Sequence, residues 1–258
     1  MDIFGIIGLL LGFTSLIVGM ILKHVPLTAL KNPAAIFIIL VGTVSAVILA
    51  TPGSELKNIG KLFGVLFGKT KYIKPEEAVA KVLEMAETSR KNGILSLEGQ
   101  IASESDPFII HGINLLMDGA NSDQIYTSLG EDISAMEGRH AAGAQIFTQA
   151  GTYAPTLGVL GAVFGLIAAL VDLSDIEKLG AAISAAFVAT LLGIFTGYVL
   201  WHPMANRLKR KSRQEVLVKT IFMEGFTGIC MGTNPKILKD DLLNYIPAGQ
   251  RAKVKGGE

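Results

Sequence analysis

The stretch AGTYAPTLGVLGAVFGLIAAL, from Ala150 to Leu170, decides how the rest of the chain is read. It contains no Asp, Glu, Lys or Arg, is rich in glycine, and carries three hydroxyl side chains, Thr152, Tyr153 and Thr156, together with a proline. A helical run of about 20 apolar residues, rising about 1.5 Å each, matches the hydrocarbon thickness of a bilayer. Pro155 brings no backbone N–H to such a helix. The carbonyl one turn earlier loses its helical partner and must find another in a neighbouring helix, a hydroxyl or water. The stretch is therefore expected to cross a membrane while facing protein or a wet path rather than lipid.

Three other stretches, Ile3 to Leu22, Pro33 to Thr51 and Leu179 to Trp201, also lack Asp, Glu, Lys and Arg. With 50% hydrophobic and only 17% charged residues and a mean hydropathy of +0.48, the composition is that of a polytopic membrane protein. The net charge of +1 gives no basic face of the kind a nucleic-acid binder needs. A single cysteine, Cys230, excludes an internal disulfide framework and a cysteine-based metal cluster, and reads as a small apolar residue. Asp2, and no base, precedes the first stretch, which is expected to be a retained helix and not a signal peptide.

Bases near the membrane set the orientation. Arg207, Lys209, Arg210, Lys211 and Arg213 follow the fourth span, and Lys57, Lys61, Lys69, Lys71 and Lys74 follow the second, whereas the turn DLSDIEK between spans three and four is net acidic. Both termini and the long insertion are expected to be cytoplasmic. Lys23 and Lys31 would then lie outside, against the trend. The expected fold is all-α: transmembrane helices 1 and 2 in residues 1–52, a cytoplasmic helical domain in 53–145, transmembrane helices 3 and 4 in 146–203, and a cytoplasmic C-terminal tail in 204–258. Within the insertion, Leu56, Ile59, Leu62, Phe63, Leu66 and Phe67 form an amphipathic stretch suited to the membrane surface. Pro75 with Glu76 and Glu77 opens a helix that Asn92 and Gly93 close, and another begins near Asp106 and Pro107. A further one starts at Ser122 and runs into span three without a strong breaker, so it can carry rigid motion between cytoplasm and membrane.

No enzyme constellation is present. His24, His111, His140 and His202 are scattered without ligand spacing, and neither a phosphate loop nor a catalytic motif appears, so neither a catalytic residue nor a metal is expected. Gly161 and Gly165 have the GxxxG spacing that permits close helix contact. Thr152, Tyr153, Thr156, Thr190 and Thr196 put hydroxyls in the spans, but no carboxylate accompanies them. Ion-translocating proteins ordinarily keep an ionisable group in the membrane. Either this chain moves no ions or another polypeptide brings the acid. Two plainer readings stand beside the functional ones: Thr190 and Thr196 bond back to their own helix, and Arg90, Lys91 and Glu98 form a solvated face.

The segments FTQAGTYAPTLGVLGAVFGLIAAL and LGAAISAAFVATLLGIFTGYVLWHP, followed by ANRLKRKS, together with NPAA at the start of span two and SRKNGILSLEG in the insertion, closely resemble the MotA family of flagellar stator subunits over about residues 1 to 250. The resemblance implies a pentameric ring in the bacterial inner membrane around a MotB-like partner. That partner is a single-span, peptidoglycan-binding protein whose membrane aspartate would supply the missing acid. It further implies torque on the rotor protein FliG. Carried over by motif, Pro155 lies beside the ion path, Pro203 at the cytoplasmic end of span four, and Thr190 against the partner helix. Tyr153 and Thr156 belong to the same wall. Arg90 and Glu98 match rotor-facing charges, with Lys91 and Glu137 as weaker matches.

Sodium-driven members resemble this chain but place threonine at Ala162 and a Thr-Thr pair at Ala189 and Thr190. Hard cations prefer several oxygen ligands. The absent hydroxyls therefore point to a proton as coupling ion, with no cofactor. An ExbB or TolQ type energiser, a sodium-driven stator, a small-solute transporter and a membrane scaffold are the alternatives. The hairpin from Ile3 to Thr51 argues against the first, and the lack of an inverted repeat against the transporter.

Overall fold

Helix α1 covers Ile3–Leu22 and α2 covers Pro33–Ala50, with a 3-10 turn at Leu27–Leu30 between them. The computed structural model describes residues 3–68, 73–171, 175–252 and 254; Lys69, Lys71, Asp172 and Ser174, used above to set the orientation, lie outside the described residues. Asn32 starts α2 by accepting from the Ala35 N–H at 3.1 Å, and Pro33 follows in the first turn, where a missing N–H costs nothing. Next come α3 (Gly53–Leu56), α4 (Ile59–Phe67), α5 (Pro75–Asn92), a 3-10 turn at Ile94–Leu97, α6 (Glu98–Ile101) and α7 (Pro107–Met117). Helix α8 runs unbroken through Ser122–Leu170. Helix α9 (Ile176–Phe195) passes through a π-helical segment at Thr196–Trp201 into α10 (His202–Cys230), and α11 (Pro235–Leu243) and α12 (Ala248–Arg251) complete the chain. No strand occurs among the described residues. Helices α1, α2, α8 and the run from α9 through α10 are long and apolar enough to cross a membrane.

The chain divides into two units. One comprises Met1–Lys69 and His140–Arg210, the other Thr70–Arg139 and Lys211–Glu258. These limits differ from the expected segments at both ends of the insertion. The amphipathic residues of α3 and α4 belong with the membrane helices, because Leu66 is fully buried in a cluster with Phe147 and Ala144. Phe63 meets Phe147 edge-on at 5.4 Å.

The expected C-terminal tail is corrected more deeply. Val218, Ile221, Phe222, Phe226 and Ile229 of α10, with Leu238 and Leu242 of α11, share one core with Val79, Val82 and Leu83 of α5, Ile113 of α7, and Ile125 and Leu129 of α8. Each large apolar side chain contributes about 1.5–3 kcal/mol by leaving water, and α10, α11 and the turn after them supply nine of the 23 buried residues of this core, so the C-terminal segment is built into it. Lys219 clips the same unit together, 3.3 Å from Asp106 and 4.5 Å from the centre of the Phe108 ring. Half-buried Cys230 donates its thiol to the Ala120 carbonyl at 3.3 Å.

Candidate functional site

The freed carbonyl anticipated from Pro155 is that of Gly151, and its neighbour is Gly197 of the π segment. A Cβ added at Gly197 would lie 2.8 Å from Gly151 O and 2.7 Å from Pro155 Cγ. Only glycine fits there, because any side chain would run into the Gly151 carbonyl and the Pro155 ring. Along the same seam, a Cβ on Gly193 would lie 2.8 Å from both Ala154 O and Gly158 Cα, so α8 and α9 touch backbone to backbone. Gly161, by contrast, has Ala189 Cβ at 3.6 Å, and Gly165 has Ala182 O at 3.7 Å, which is ordinary contact. The tight crossing is thus one turn from the expected GxxxG pair. Its signal in the sequence is a second such spacing, Gly193 to Gly197 in GIFTG.

These contacts fix an antiparallel register in which Ala162 lies level with Ala189 and Thr190, while Pro155 lies level with Gly197. Pro155 and Thr190 are therefore separated by two helical turns, about 10 Å along the seam. Ala189 is 1% exposed in a cluster with Ala35, Ile39 and Ala154, and Ala162 packs against that cluster. Thr190 is half-buried. Asn32 reinforces this level by donating its Nδ2 to Ala185 O at 3.3 Å, a role that its identity as a helix cap did not disclose.

Each threonine hydroxyl of the site donates to its own helix. Thr152 reaches Thr148 O at 3.0 Å, Thr156 reaches Thr152 O at 3.5 Å, Thr190 reaches Ala186 O at 3.2 Å, and Thr196 reaches Leu192 O at 2.8 Å. Thr152 and Thr156 are exposed. Tyr153 turns the other way and packs, with Trp201 and Met204, on the cluster of Val47, Phe147 and Ala150. Pro203 is exposed on the wall of an apolar groove formed with Phe4, Gly8, Leu66, Tyr198 and Met204. It explains the π segment: its ring excludes the carbonyl four residues back and it offers no N–H, and wider winding relieves both.

In the other unit, Arg90 and Lys91 end α5 and Glu98 begins α6, on either side of a tight turn. Gly93 makes the turn at φ 84, Ser96 closes it by donating its hydroxyl to Gly93 O at 2.6 Å, and fully buried Leu97 anchors it. All three charges are exposed, and Lys91 stands 3.9 Å from Glu87. Their signs also complement the helix ends that they occupy. Glu137 is exposed on α8, away from this turn in sequence.

Elsewhere in this unit, Lys81 pairs with Glu104. Burial raises the Glu104 pKa, but Lys81 and the backbone N–H groups of Asp106 and Ser105 outweigh burial and hold it below the ordinary value. His111 pairs with Asp132 at 2.7 Å on the surface. No cluster among the described residues has the makings of a metal site.

These features define a class: a four-span, all-helical membrane protein with a helical core built from the insertion after span two and the segment after span four, and an acid-free seam of glycines and hydroxyls between spans three and four. The MotA/TolQ/ExbB proton channel family matches residues 100–220. Motility protein A of Bacillus subtilis is 52% identical over 98% of this chain and 94% of its own length. The Bacillus subtilis flagellar MotAB stator complex contains a chain that superposes with a TM-score of 0.90 at 52% identity, covering 96% of this chain and 97% of that one. A chain of the C. jejuni MotAB structure gives a TM-score of 0.91 at 29% identity, with the same coverage. The chain belongs to the MotA/TolQ/ExbB proton channel family, in its motility protein A branch.

Proposed function

We propose that this chain is the ion-conducting subunit of a flagellar stator, set in the bacterial inner membrane with both termini cytoplasmic. A MotB-like, single-span partner supplies the membrane aspartate. The observation that carries this reading is the seam of α8 and α9, whose hydroxyls at Thr152, Thr156 and Thr190 line spans with no acid of their own. A neutral wall needs a titratable visitor before it can pass charge. Several copies, a pentamer by family resemblance, surround the partner, and the chain works by conduction and rotation rather than catalysis.

The coupling ion is the proton. A carboxyl group and water suffice to carry it, and Ala162 and Ala189 offer no extra oxygen for a dehydrated metal ion. Protonation removes a buried charge and changes which level of the seam the partner prefers: Thr190 and Ala162 at one height, Pro155 and Gly197 two turns away. The ring then advances by one subunit. Because α8 continues without interruption from Ser122 to Leu170, motion at Pro155 is delivered along one helix. Arg90 and Glu98, with Lys91 and Glu137 contributing charge, steer the rotor protein FliG electrostatically.

The test is expression with a MotB-like partner in a stator-free strain, scored by swimming in sodium-free medium. Motility there is expected, and is lost when the partner's membrane aspartate becomes asparagine. Swimming only when sodium is supplied would mark a sodium-driven stator. Thr190→Ala is expected to lower torque, and unchanged torque would remove Thr190 from the path.

A further inference from the structure

One ionisable side chain of the seam has no part in the proton path described so far. Residues 141–171 and 179–206, which supply both sides of the seam, contain no Asp, Glu, Lys or Arg, and His202 is their only histidine. It follows the π segment directly and opens α10. A Cβ added at Gly151 would lie 2.8 Å from His202 Cγ and Cδ2 and 2.9 Å from Cε1, so the imidazole lies face-on against that glycine. Gly151 is the residue whose carbonyl Pro155 frees. The ring therefore sits one helical turn from Pro155, on the side of the basic flank formed by Arg207, Lys209 and Arg210. Tyr198 packs beside it, with ring centroids 5.3 Å apart.

A face-on imidazole keeps both nitrogens at its rim, and His202 is only half-buried. Beside Gly151, exposed Thr152 adds a hydroxyl oxygen to the same turn of α8. Charge is otherwise sparse around the ring: α8 brings none between residues 141 and 171, and the run that carries His202 brings the Tyr198 phenol and, five residues on, Arg207, whose guanidinium lies against Gly5 of α1. An ionisable group in a span is costly and marks a path for charge. Imidazole suits a proton in particular, since near neutral pH it can take one at one nitrogen and release one from the other. We propose that His202 is the proton acceptor on the cytoplasmic side of the seam, an assignment that rests on the function proposed above. The partner's carboxylic acid, at the level of Pro155, passes its O–H proton through water to a neutral ring nitrogen, leaving a carboxylate and an imidazolium. The imidazolium gives the proton on its other nitrogen to cytoplasmic water and is neutral again.

The test expresses the chain with a MotB-like partner in a stator-free strain and records motor rotation near zero load in sodium-free medium, at matched amounts of protein in the membrane. A wild type that fails to turn there removes the proposed function, and this assignment with it. With wild type turning, His202→Gln, which keeps a polar side chain but no titrating ring, is expected to turn at least about tenfold more slowly. Rotation of His202→Gln at the wild-type rate overturns the assignment and leaves the stator function standing. His202→Ala opens a ring-sized space. Added imidazole is expected to speed that variant severalfold without changing wild type, whereas pyrazole, of the same size but unprotonated near neutral pH, is expected to leave it slow. Rescue by both compounds, or by neither, overturns the assignment and makes the ring a packing element.

Discussion

Replacing Gly193 with alanine tests the helix seam directly. The new Cβ would stand 2.8 Å from Ala154 O and 2.8 Å from Gly158 Cα, both backbone atoms that no rotamer change can move. Non-bonded carbons settle at about 3.5–4.0 Å. The helices must therefore part by roughly 0.7 Å or more, and overpacking of this kind costs about 1–3 kcal/mol. Alanine recovers up to about 1 kcal/mol of helix propensity, which leaves a net loss of up to about 2 kcal/mol. Gly161→Ala is the control. Its Cβ would meet Ala189 Cβ at 3.6 Å, an ordinary contact, so only the propensity gain remains. Thermal unfolding of the detergent-solubilised protein, followed by Trp201 emission, is expected to rank Gly161→Ala at or above wild type and Gly193→Ala below it. Equal midpoints for the two variants would refute the seam geometry.

Pro155→Ala restores an N–H for Gly151 O and removes a helix-interior proline worth about 3 kcal/mol; the protein is expected to unfold at higher temperature yet lose motility in soft agar. Arg90→Glu is expected to change stability by less than about 0.5 kcal/mol, because its side chain is exposed, while swimming falls and is partly restored by a reversed charge on FliG; normal swimming would assign Arg90 to a solvated face. The depressed pKa of Glu104 stabilises the fold above the carboxylate's unfolded value of 4.5 and ceases to do so as pH falls through the lower folded value. Hydrogen exchange at Val82 and Leu83 should therefore accelerate below that range, and Glu104→Gln should flatten this dependence.

The spans were legible because hydrocarbon imposes its own length on the sequence, and the helix starts at Pro75 and at Asp106 with Pro107 left local signatures. The C-terminal part of the second unit's core was less so. Val218, Ile221, Phe222 and Phe226 are helically spaced, but they follow a basic run that marks a membrane flank and suggests a tail. The π segment left only Pro203 as its trace. At the site, residue types were readable and heights were not. Pro155 and Thr190 appear as one contact point until the pairing of Gly158 with Gly193 sets the register, and that pairing depends on two helices at once.

The inward-donating threonines carry a last consequence. A hydroxyl whose proton is committed to its own helix offers a visitor only lone pairs. While those bonds stand, Thr156 and Thr190 offer a visitor lone pairs and no proton. On the proposed function, a carboxylic acid meets both without disturbing their helix bonds, whereas a carboxylate must first turn a hydroxyl away from its own carbonyl, so the two forms of the same side chain would meet this wall unequally by a single hydrogen atom.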